Sequence, residues 1–266
     1  MPKSTKYVAK IPNEQGFIDY TPEEDAVWSD LYATQIDAVE AHMARPYLDG
    51  LKKLNMPQSK VPQCPDISEA LTRETGWKVQ PVPALIGFDK FYGMLADRTF
   101  PAASFIRSRE DFDYIEEPDI FHEIFGHTPL LTDPRFAEFS NAIGKAGLKA
   151  EKKDFSWLIR LYWFTIEFGL TRENGELKAL GSGLASSKTE LPHAVLSNEP
   201  TVRAFDIEDI LRTPYRIDIH QPIYFVIEDM DELFAAADRD LMVDIKAAQA
   251  KGLFAPVYPT VEKKAS

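Results

Sequence analysis

The segment Leu161–Gly169 contains one charged residue, Glu167, in a run of mainly apolar and aromatic side chains. Its pattern predicts a buried helix, and a carboxylate in such surroundings loses several kcal/mol of hydration unless a cation meets it. A fold that buries this segment must therefore bring a positive charge to Glu167. The alternatives are an exposed outer face for Glu167 or a salt bridge with Arg160, Arg172 or Lys178.

Composition limits the class of protein. The 266 residues are 44% hydrophobic, which is enough to bury one large core. The 30 Lys and Arg against 42 Asp and Glu give a net charge of -12 and disfavour binding to nucleic acid or to an anionic membrane. A single cysteine, Cys64, excludes an intrachain disulfide and a cysteine zinc cluster. With no signal-peptide pattern and no apolar run long enough to cross a bilayer, we expect a cytoplasmic protein.

Local patterns predict a mainly helical chain. Thr21, Pro22 and Glu24 form a capping box with proline in the first turn, followed by apolar residues at helical spacing. A proline-rich loop is expected over Met56–Pro65. Further helices are expected over Ile67–Thr75, Phe88–Ala96, Asp119–Gly126, from Pro134, over Phe155–Leu170, over Asp206–Arg212 and from Asp229.

Short strands and loops complete the expected fold. Strands are predicted over Trp77–Val82 and Ile223–Ile227, and a loop at Gly181–Gly183. The fold class that these patterns indicate is α+β, mostly α-helical with short strands. We expect one domain over residues 1–266, with a helical N-terminal part (1–75), a central core (76–230) and a C-terminal helix and tail (231–266).

His122 and His127 are the only two of the five histidines that lie close together in sequence. Residues five apart lie about 140° from each other around an ideal α-helix, so both imidazoles can reach one metal only if the helix is interrupted. Gly126 predicts such an interruption, because glycine readily adopts the backbone angles of a helix terminus. Otherwise the two histidines are a surface residue and a core residue.

Two histidines and Glu167 would supply the ligands of a facial triad. Two neutral imidazoles and one carboxylate bind ferrous iron in non-haem oxygenases and leave three coordination positions open. Zinc hydrolases also use two His and a Glu, so the ligand types leave the metal undecided.

Three segments carry a family resemblance. Pro118–Leu130, Tyr162–Leu170 and Gly181–Ser187 resemble, in this order, the catalytic domain of the pterin-dependent aromatic amino acid hydroxylases. The similarity covers Gly76–Glu228 firmly and the N-terminal helix more loosely. It implies that the single domain has the catalytic fold of this family, with residues 76–230 forming the iron, pterin and substrate core.

The resemblance implies a role for each matching residue. His122, His127 and Glu167 would bind Fe(II), and Glu123 would be the catalytic residue near the pterin. Residues implied to bind the substrate are Arg107, which holds its carboxylate, Asp119, which orients Arg107, and Pro118, Trp163, Ser186 and Ile217. Residues implied to bind tetrahydrobiopterin or a related tetrahydropterin are Val82, Ala84, Ile86, Phe88, Phe91 and Tyr162.

The resemblance is closest to bacterial members that convert L-phenylalanine to L-tyrosine with dioxygen and a tetrahydropterin cosubstrate. Ile217 is apolar where tyrosine-hydroxylating relatives carry an acidic residue, which favours phenylalanine. The alternatives within the family are tryptophan or tyrosine hydroxylation. Outside it, they are a zinc hydrolase with Glu123 as general base and a non-catalytic amino acid sensor.

A monomer is expected. No regulatory module of the animal enzymes precedes Gly76, and no heptad tetramerisation helix follows Ile245. A dimer through another surface remains open.

Overall fold

The structure is a computed structural model that describes residues 7–83, 86–115 and 117–258. Its α-helices are α1 (Pro22–His42), α2 (Arg45–Lys53), α3 (Cys64–Thr75), α4 (Phe88–Ala96), α5 (Pro134–Lys149), α6 (Lys152–Tyr162), α7 (Ser182–Ala185), α8 (Glu190–Leu196), α9 (Ile207–Arg212), α10 (Asp231–Ala237) and α11 (Leu241–Lys251). Two π-helical turns, Phe121–His127 and Trp163–Glu167, interrupt this regular pattern.

The strands form two small sheets. They are β1 (Lys78–Val82), β2 (Thr99–Ala103), β3 (Leu170–Glu173), β4 (Glu176–Ala179), β5 (Thr201–Ala204) and β6 (Ile223–Ile227). β1 and β2 pair in parallel across α4, with Lys78 opposite Thr99. The other sheet has the order β4-β3-β6-β5, in which only β3 and β4 run antiparallel. The α+β class with short strands is confirmed.

The start of α1 forms as the capping box predicts. The Thr21 side chain accepts from the Glu24 backbone N–H at 3.2 Å, and Glu24 accepts from the Thr21 N–H at 2.7 Å. Each bond satisfies a backbone donor that the first turn of a helix leaves free. One apolar face of α1, which includes Trp28 and Val39, is fully buried in a continuous core that extends to Ala248.

Several predicted boundaries were wrong. α3 begins at Cys64, because Pro65 fits the first turn of a helix instead of ending the preceding loop. The helix predicted to run to Leu170 becomes π-helical at Trp163 and ends at Glu167, and Leu170 opens β3. Ser182 and Gly183 open α7, with Gly181 as its N-cap, where an irregular loop was predicted. The helix predicted to end at Gly126 continues through His127.

Buried Asp154 joins α6 to α11. It accepts hydrogen bonds of 2.8 Å from the Lys246 ammonium and from the Gln249 amide. Burial by itself would raise the pKa of Asp154, but the hydrogen bonds from Lys246 and Gln249 lower it to about 2. An unfolded aspartate titrates near 3.9, so the stabilisation is complete above about pH 4 and is lost as the pH falls through about 2.

We therefore expect Asp154→Ala to lower the free energy of unfolding by about 2 kcal/mol at pH 7, the value of a charged hydrogen-bond pair. Urea unfolding of both proteins between pH 7 and pH 3 measures this difference. The wild-type advantage should be constant down to about pH 4 and then shrink. An advantage that grows in acid would contradict the assignment.

In the part of the chain that the structure describes, no helix is both long and apolar enough to span a membrane.

Candidate active site

The first π-turn, Phe121–His127, brings the two neighbouring histidines together. The Nε2 atoms of His122 and His127 lie 3.2 Å apart, although the residues are five positions apart in sequence. The prediction that the helix must end between them was wrong. A π-turn bonds residue i to i+5, which places residues five apart on one face without ending the helix.

Gly126 has a different role from the predicted one. Its φ is not positive, so the left-handed freedom of glycine is not used here. A Cβ at Gly126 would instead lie 2.8 Å from the Ser182 carbonyl oxygen. Glycine is required because the π-turn packs directly against the backbone at the start of α7.

The second π-turn, Trp163–Glu167, places Glu167 beside both histidines. Its Oε1 is 3.1 Å from His127 Nε2, and its Oε2 is 3.7 Å from His122 Nε2. None of the three cations proposed as alternative partners takes this position. Arg172 pairs with Glu228 and Lys178 with Glu176, whereas the Arg160 guanidinium lies 5.0 Å from the Trp157 ring centre.

Two serines of the 182–186 segment form hydrogen bonds with Glu167 and His122. The Ser182 hydroxyl donates to Glu167 Oε2 at 2.9 Å. The Ser186 hydroxyl donates to the Ser182 carbonyl oxygen at 2.9 Å, and its oxygen lies 2.8 Å from His122 Nδ1. Because the Ser186 proton is already engaged, His122 Nδ1 is the donor in that contact. The lone pair of Nε2 then faces Glu167 and His127, as a metal ligand requires.

Burial and nearby charges shift the pKa values of Glu167 and Glu123 in opposite directions. Burial by itself would raise the pKa of Glu167, but His127, His122 and the Ser182 hydroxyl lower it to about 2. Burial lowers the pKa of His122 to about 4. Burial, with the negative charges of Glu167 and Asp119, raises the pKa of Glu123 well above its usual range. At neutral pH this gives an ionised Glu167 and a neutral His122, whereas the pKa of Glu123 is shifted in the opposite direction from that of Glu167.

Either carboxyl group is close enough to complete a metal site. His122, Glu123 and His127 each offer a ligand atom within 4.8 Å of the others. The Glu123 Oε2, however, is 3.9 Å from His127 Nε2, whereas Glu167 approaches the same atom to 3.1 Å. Glu167 is also the carboxyl group whose pKa is lowered, and a carboxyl group must be ionised to bind a metal. Glu167 therefore fits the third ligand position better than Glu123.

Arg107 and Asp119 form a buried ion pair next to the histidines. Arg107 Nε and Nη2 donate to the two Asp119 oxygens at 2.8 and 2.9 Å. Asp119 also accepts from the His122 backbone N–H at 3.1 Å, which ties the pair to the first π-turn. Burial by itself would lower the pKa of Arg107, but the negative charge of Asp119 raises it. The guanidinium is thus fixed in orientation and always charged.

A cavity of about 770 Å³ opens onto this centre. Its volume is within the range of small-molecule sites. The wall includes seven of the residues predicted to bind metal or substrate, namely Arg107, Pro118, His122, Trp163, Glu167, Ser186 and Ile217. Trp163 stacks on Tyr215 with ring centres 4.4 Å apart. Ile217 lies at the rim, where 71% of it is exposed.

Comparison with known proteins assigns the family. The family model of the biopterin-dependent aromatic amino acid hydroxylases matches residues 3–243. The chain belongs to this family. Over 260 residues it is 48% identical to the phenylalanine-4-hydroxylase of Vibrio cholerae, an alignment that covers 98% of this chain and 90% of that protein.

Solved structures of the family have the same fold. The cold-active phenylalanine hydroxylase of Colwellia psychrerythraea is 46% identical and superposes with a TM-score of 0.93 over 98% of this chain and 100% of that one. The phenylalanine hydroxylase of Chromobacterium violaceum with bound oxidised Fe(III) is 36% identical, with a TM-score of 0.87 over 92% of this chain and 89% of that one.

The described residues predicted for the pterin are not part of the wall of this cavity. Phe91 and Tyr162 meet edge to face with ring centres 5.3 Å apart, and the Tyr162 hydroxyl is 3.4 Å from His127 Nδ1. Val82 is buried at the end of β1. Ile86 is partly buried, and Phe88 is 48% exposed and packs on Phe155. Ala84 lies outside the described residues.

Several residues of the site in this hydroxylase were not predicted. Ser182 orients Glu167, and Gln35 donates from α1 to the carbonyl oxygens of Ala185 and Ser187 at 2.9 and 3.1 Å. Gln35 lies on the otherwise apolar face of α1. A polar residue on a buried face could have been identified from the sequence as one that forms a specific hydrogen bond. Glu190 and Gln221 also line the cavity and were not predicted. No local pattern marked them, because their hydrogen-bond partners are distant in sequence.

Gly181 packs closely against the backbone of Glu167. A Cβ at Gly181 would lie 2.0 Å from the Glu167 backbone carbonyl oxygen, although the backbone angles at Gly181 suit any residue.

We expect Gly181→Ala to displace the second π-turn and lower Fe(II) affinity by about 10- to 100-fold, as disturbance of groups around metal ligands does. Calorimetric titration of apoprotein measures the change. Gly93→Ala, in α4, is the control for glycine substitution, because its backbone is not left-handed and an added Cβ would only contact Leu148 at 3.9 Å. Unchanged affinity in Gly181→Ala would contradict the packing argument.

Proposed function

We propose that this chain is a phenylalanine 4-monooxygenase. It converts L-phenylalanine to L-tyrosine with dioxygen and a tetrahydropterin at an Fe(II) held by His122, His127 and Glu167. The observation that carries the proposal is the approach of Glu167 to both Nε2 atoms, within 3.1 and 3.7 Å, at the floor of a cavity that also exposes Arg107. The names of the relatives, and the iron in the Chromobacterium structure, support it.

The ligand set fits ferrous iron. Two neutral imidazoles and one carboxylate on one side of the ion leave positions for oxygen and water. When bound, the iron supplies the activation of dioxygen, with electrons from the pterin. The chain's own contribution is to hold these ligands in place: Ser186 sets the His122 tautomer and Ser182 fixes the Glu167 carboxylate. Such supporting hydrogen bonds keep the ligand geometry before the metal arrives.

Arg107 is suited to bind the amino acid's carboxylate. A guanidinium held in one plane can form two parallel hydrogen bonds with a carboxylate, and Asp119 holds it in that plane. Trp163 forms an aromatic wall of the same cavity, which can receive the phenyl ring. We place the carboxylate at Arg107 and the ring at Trp163, in the cavity whose wall also includes His122 and Glu167. This positioning removes the entropic cost of bringing the reactants together.

We place the tetrahydropterin on the side of Phe91 and Tyr162. The two rings offer an aromatic surface next to His127 for a flat heterocycle. Glu123 lies between the histidines in sequence, with its Oε2 3.9 Å from His127 Nε2, and burial raises the pKa of its carboxyl group. When protonated, that group can donate a hydrogen bond to a cosubstrate acceptor.

A zinc hydrolase with Glu123 as base is less consistent with the site. The two histidines of zinc proteases lie four residues apart on one helical face, whereas His122 and His127 are five residues apart, and the chain belongs to the hydroxylase family. Tyrosine hydroxylation is disfavoured by the apolar Ile217 at the rim, although an apolar pocket rejects an added hydroxyl by only about 100-fold. Phenylalanine is therefore the preferred rather than the exclusive substrate.

The test is direct. Anaerobic apoprotein is mixed with Fe(II), tetrahydrobiopterin and phenylalanine, air is admitted, and tyrosine is measured together with oxygen consumption. We expect one tyrosine per pterin oxidised, no product when Zn(II) replaces Fe(II), and slower turnover of tryptophan or tyrosine. Pterin-dependent hydroxylation of tyrosine in preference to phenylalanine would change the substrate, and no product from any aromatic amino acid would overturn the proposal.

A further inference from the structure

Gln221 is a buried amide at the end of the segment that forms the cavity rim. It is 2% exposed, precedes β6 by two residues and lines the cavity together with Trp163 and Ile217. Every hydrogen-bonding group of its side chain is used. Such complete pairing of a buried amide fixes its orientation, since each lost bond would leave a buried polar group unpaired.

The side chain of Gln221 joins two walls of the cavity. Its Oε1 accepts from the Trp163 indole N–H at 3.1 Å. Its Nε2 donates to the carbonyl oxygens of Arg216 and Ile219 at 2.8 and 3.1 Å. Those two carbonyls bracket Ile217. One amide therefore connects the aromatic wall at Trp163 to the rim segment that carries Ile217.

The backbone of Gln221 is anchored in turn. Its N–H donates to Glu190 Oε1 at 2.7 Å, and the Tyr224 hydroxyl donates to the same oxygen at 2.6 Å. Glu190 is 7% exposed and Tyr224 is fully buried, so this anchor is part of the core. The hydrogen bonds of Gln221 thus connect buried Glu190 to the rim segment, in which Ile217 is largely exposed.

Building on the proposed function, we propose that Gln221 is a positioning residue that sets which aromatic ring the cavity accepts. It holds the Trp163 indole and the 216–219 segment at a fixed separation. A pocket that cannot widen favours a single phenyl ring over a larger indole substrate. Gln221 has no described contact with Phe91, Tyr162 or the metal-facing atoms, so it should not affect the pterin or the iron.

Gln221→Leu tests this inference by kinetics. We expect the ratio of kcat/KM for phenylalanine to kcat/KM for tryptophan to fall by about ten-fold, as loss of exact positioning commonly costs 10- to 100-fold. The KM for tetrahydrobiopterin and the iron content should stay at wild-type values. Gln249→Leu is the matched control, because it removes a hydrogen bond to Asp154 far from the cavity. Its ratio should not change.

Nuclear magnetic resonance of ¹⁵N-labelled tryptophan follows the contact without turnover. The chain has four tryptophans, and Trp163→Phe assigns the indole N–H signal of Trp163. In Gln221→Leu we expect that signal to move upfield and to exchange faster with water. Gln221→Glu keeps the oxygen that faces Trp163 but lacks the amide donors to residues 216 and 219. It should keep the indole signal and still lower the ratio, which provides a test if Gln221→Leu does not fold.

The outcomes separate the two proposals. An active wild type with an unchanged ratio in a folded Gln221 variant overturns the role of Gln221 alone. A fallen ratio accompanied by an equal rise in the pterin KM also overturns it, because that result indicates general damage to the site. A wild type that forms no tyrosine overturns the proposed function, and this inference with it.

Discussion

Replacing Glu167 with alanine is expected to abolish iron binding and to reduce turnover by at least about 1,000-fold, equivalent to some 4 kcal/mol in the barrier. The physical reason is that Glu167 approaches both imidazoles, with Oε1 3.1 Å from His127 Nε2, and that its pKa is lowered to about 2. Without it, the iron would have two neutral ligands and no charge compensation.

Measuring the stability of the protein with and without Fe(II) distinguishes loss of iron binding from loss of the fold. A ligand that binds only the folded state stabilises it by about 2.7 kcal/mol when present at 100 times its Kd. Wild-type protein should gain this stability from Fe(II), and Glu167→Ala should not. Glu123→Gln is the matched control, since it replaces the other nearby carboxyl group. It should keep the iron-dependent gain, and the reverse pattern would identify Glu123 as the ligand.

Replacing Arg107 with lysine is expected to raise the KM for phenylalanine by about 30- to 100-fold, which corresponds to roughly 2–3 kcal/mol of charge-assisted hydrogen bonding. Lysine keeps the positive charge beside buried Asp119 but loses the planar, two-pronged donor. The kcat and the KM for tetrahydrobiopterin should change by less than a few-fold, because Arg107 would act on substrate binding alone.

Phenethylamine, which lacks the carboxylate, sharpens this test. Wild-type protein should strongly prefer phenylalanine to phenethylamine, and Arg107→Lys should lose most of that preference. Arg109→Lys is the control, because Arg109 lies two residues away, is more than half exposed and pairs with Asp30. A preference that survives in Arg107→Lys would place the carboxylate elsewhere in the cavity.

The sequence predicted that the side chains of His122, His127 and Glu167 would lie together, because burial of a charge leaves a strong local signal. Glu167 stands alone in an apolar segment, and the two histidines lie in one short stretch. The helix α1 was equally accessible, since its capping box and apolar spacing are local features. In each case the residues that carry the information are within a few positions of one another.

The π-turns and the strands could not be predicted in the same way. A π-turn has no periodic signature over so few residues, so Gly126 was interpreted as a helix end when its real constraint is the nearby Ser182 carbonyl. Strand β2 was missed because Pro101 and two alanines give it low β-propensity, whereas the equally buried β6 consists of β-branched and aromatic residues. The contacts of Glu190 with Gln221 and Tyr224 join residues that are more than thirty positions apart.

The central claim is that His122, His127 and Glu167 bind one Fe(II). A crystal of protein loaded anaerobically with Fe(II), measured on both sides of the iron absorption edge, locates the ion directly. We expect one anomalous peak at bonding distance from both Nε2 atoms and from a Glu167 oxygen, with Glu123 unbound. A peak bonded to Glu123 instead of Glu167, or an iron bound away from the two histidines, would contradict the account.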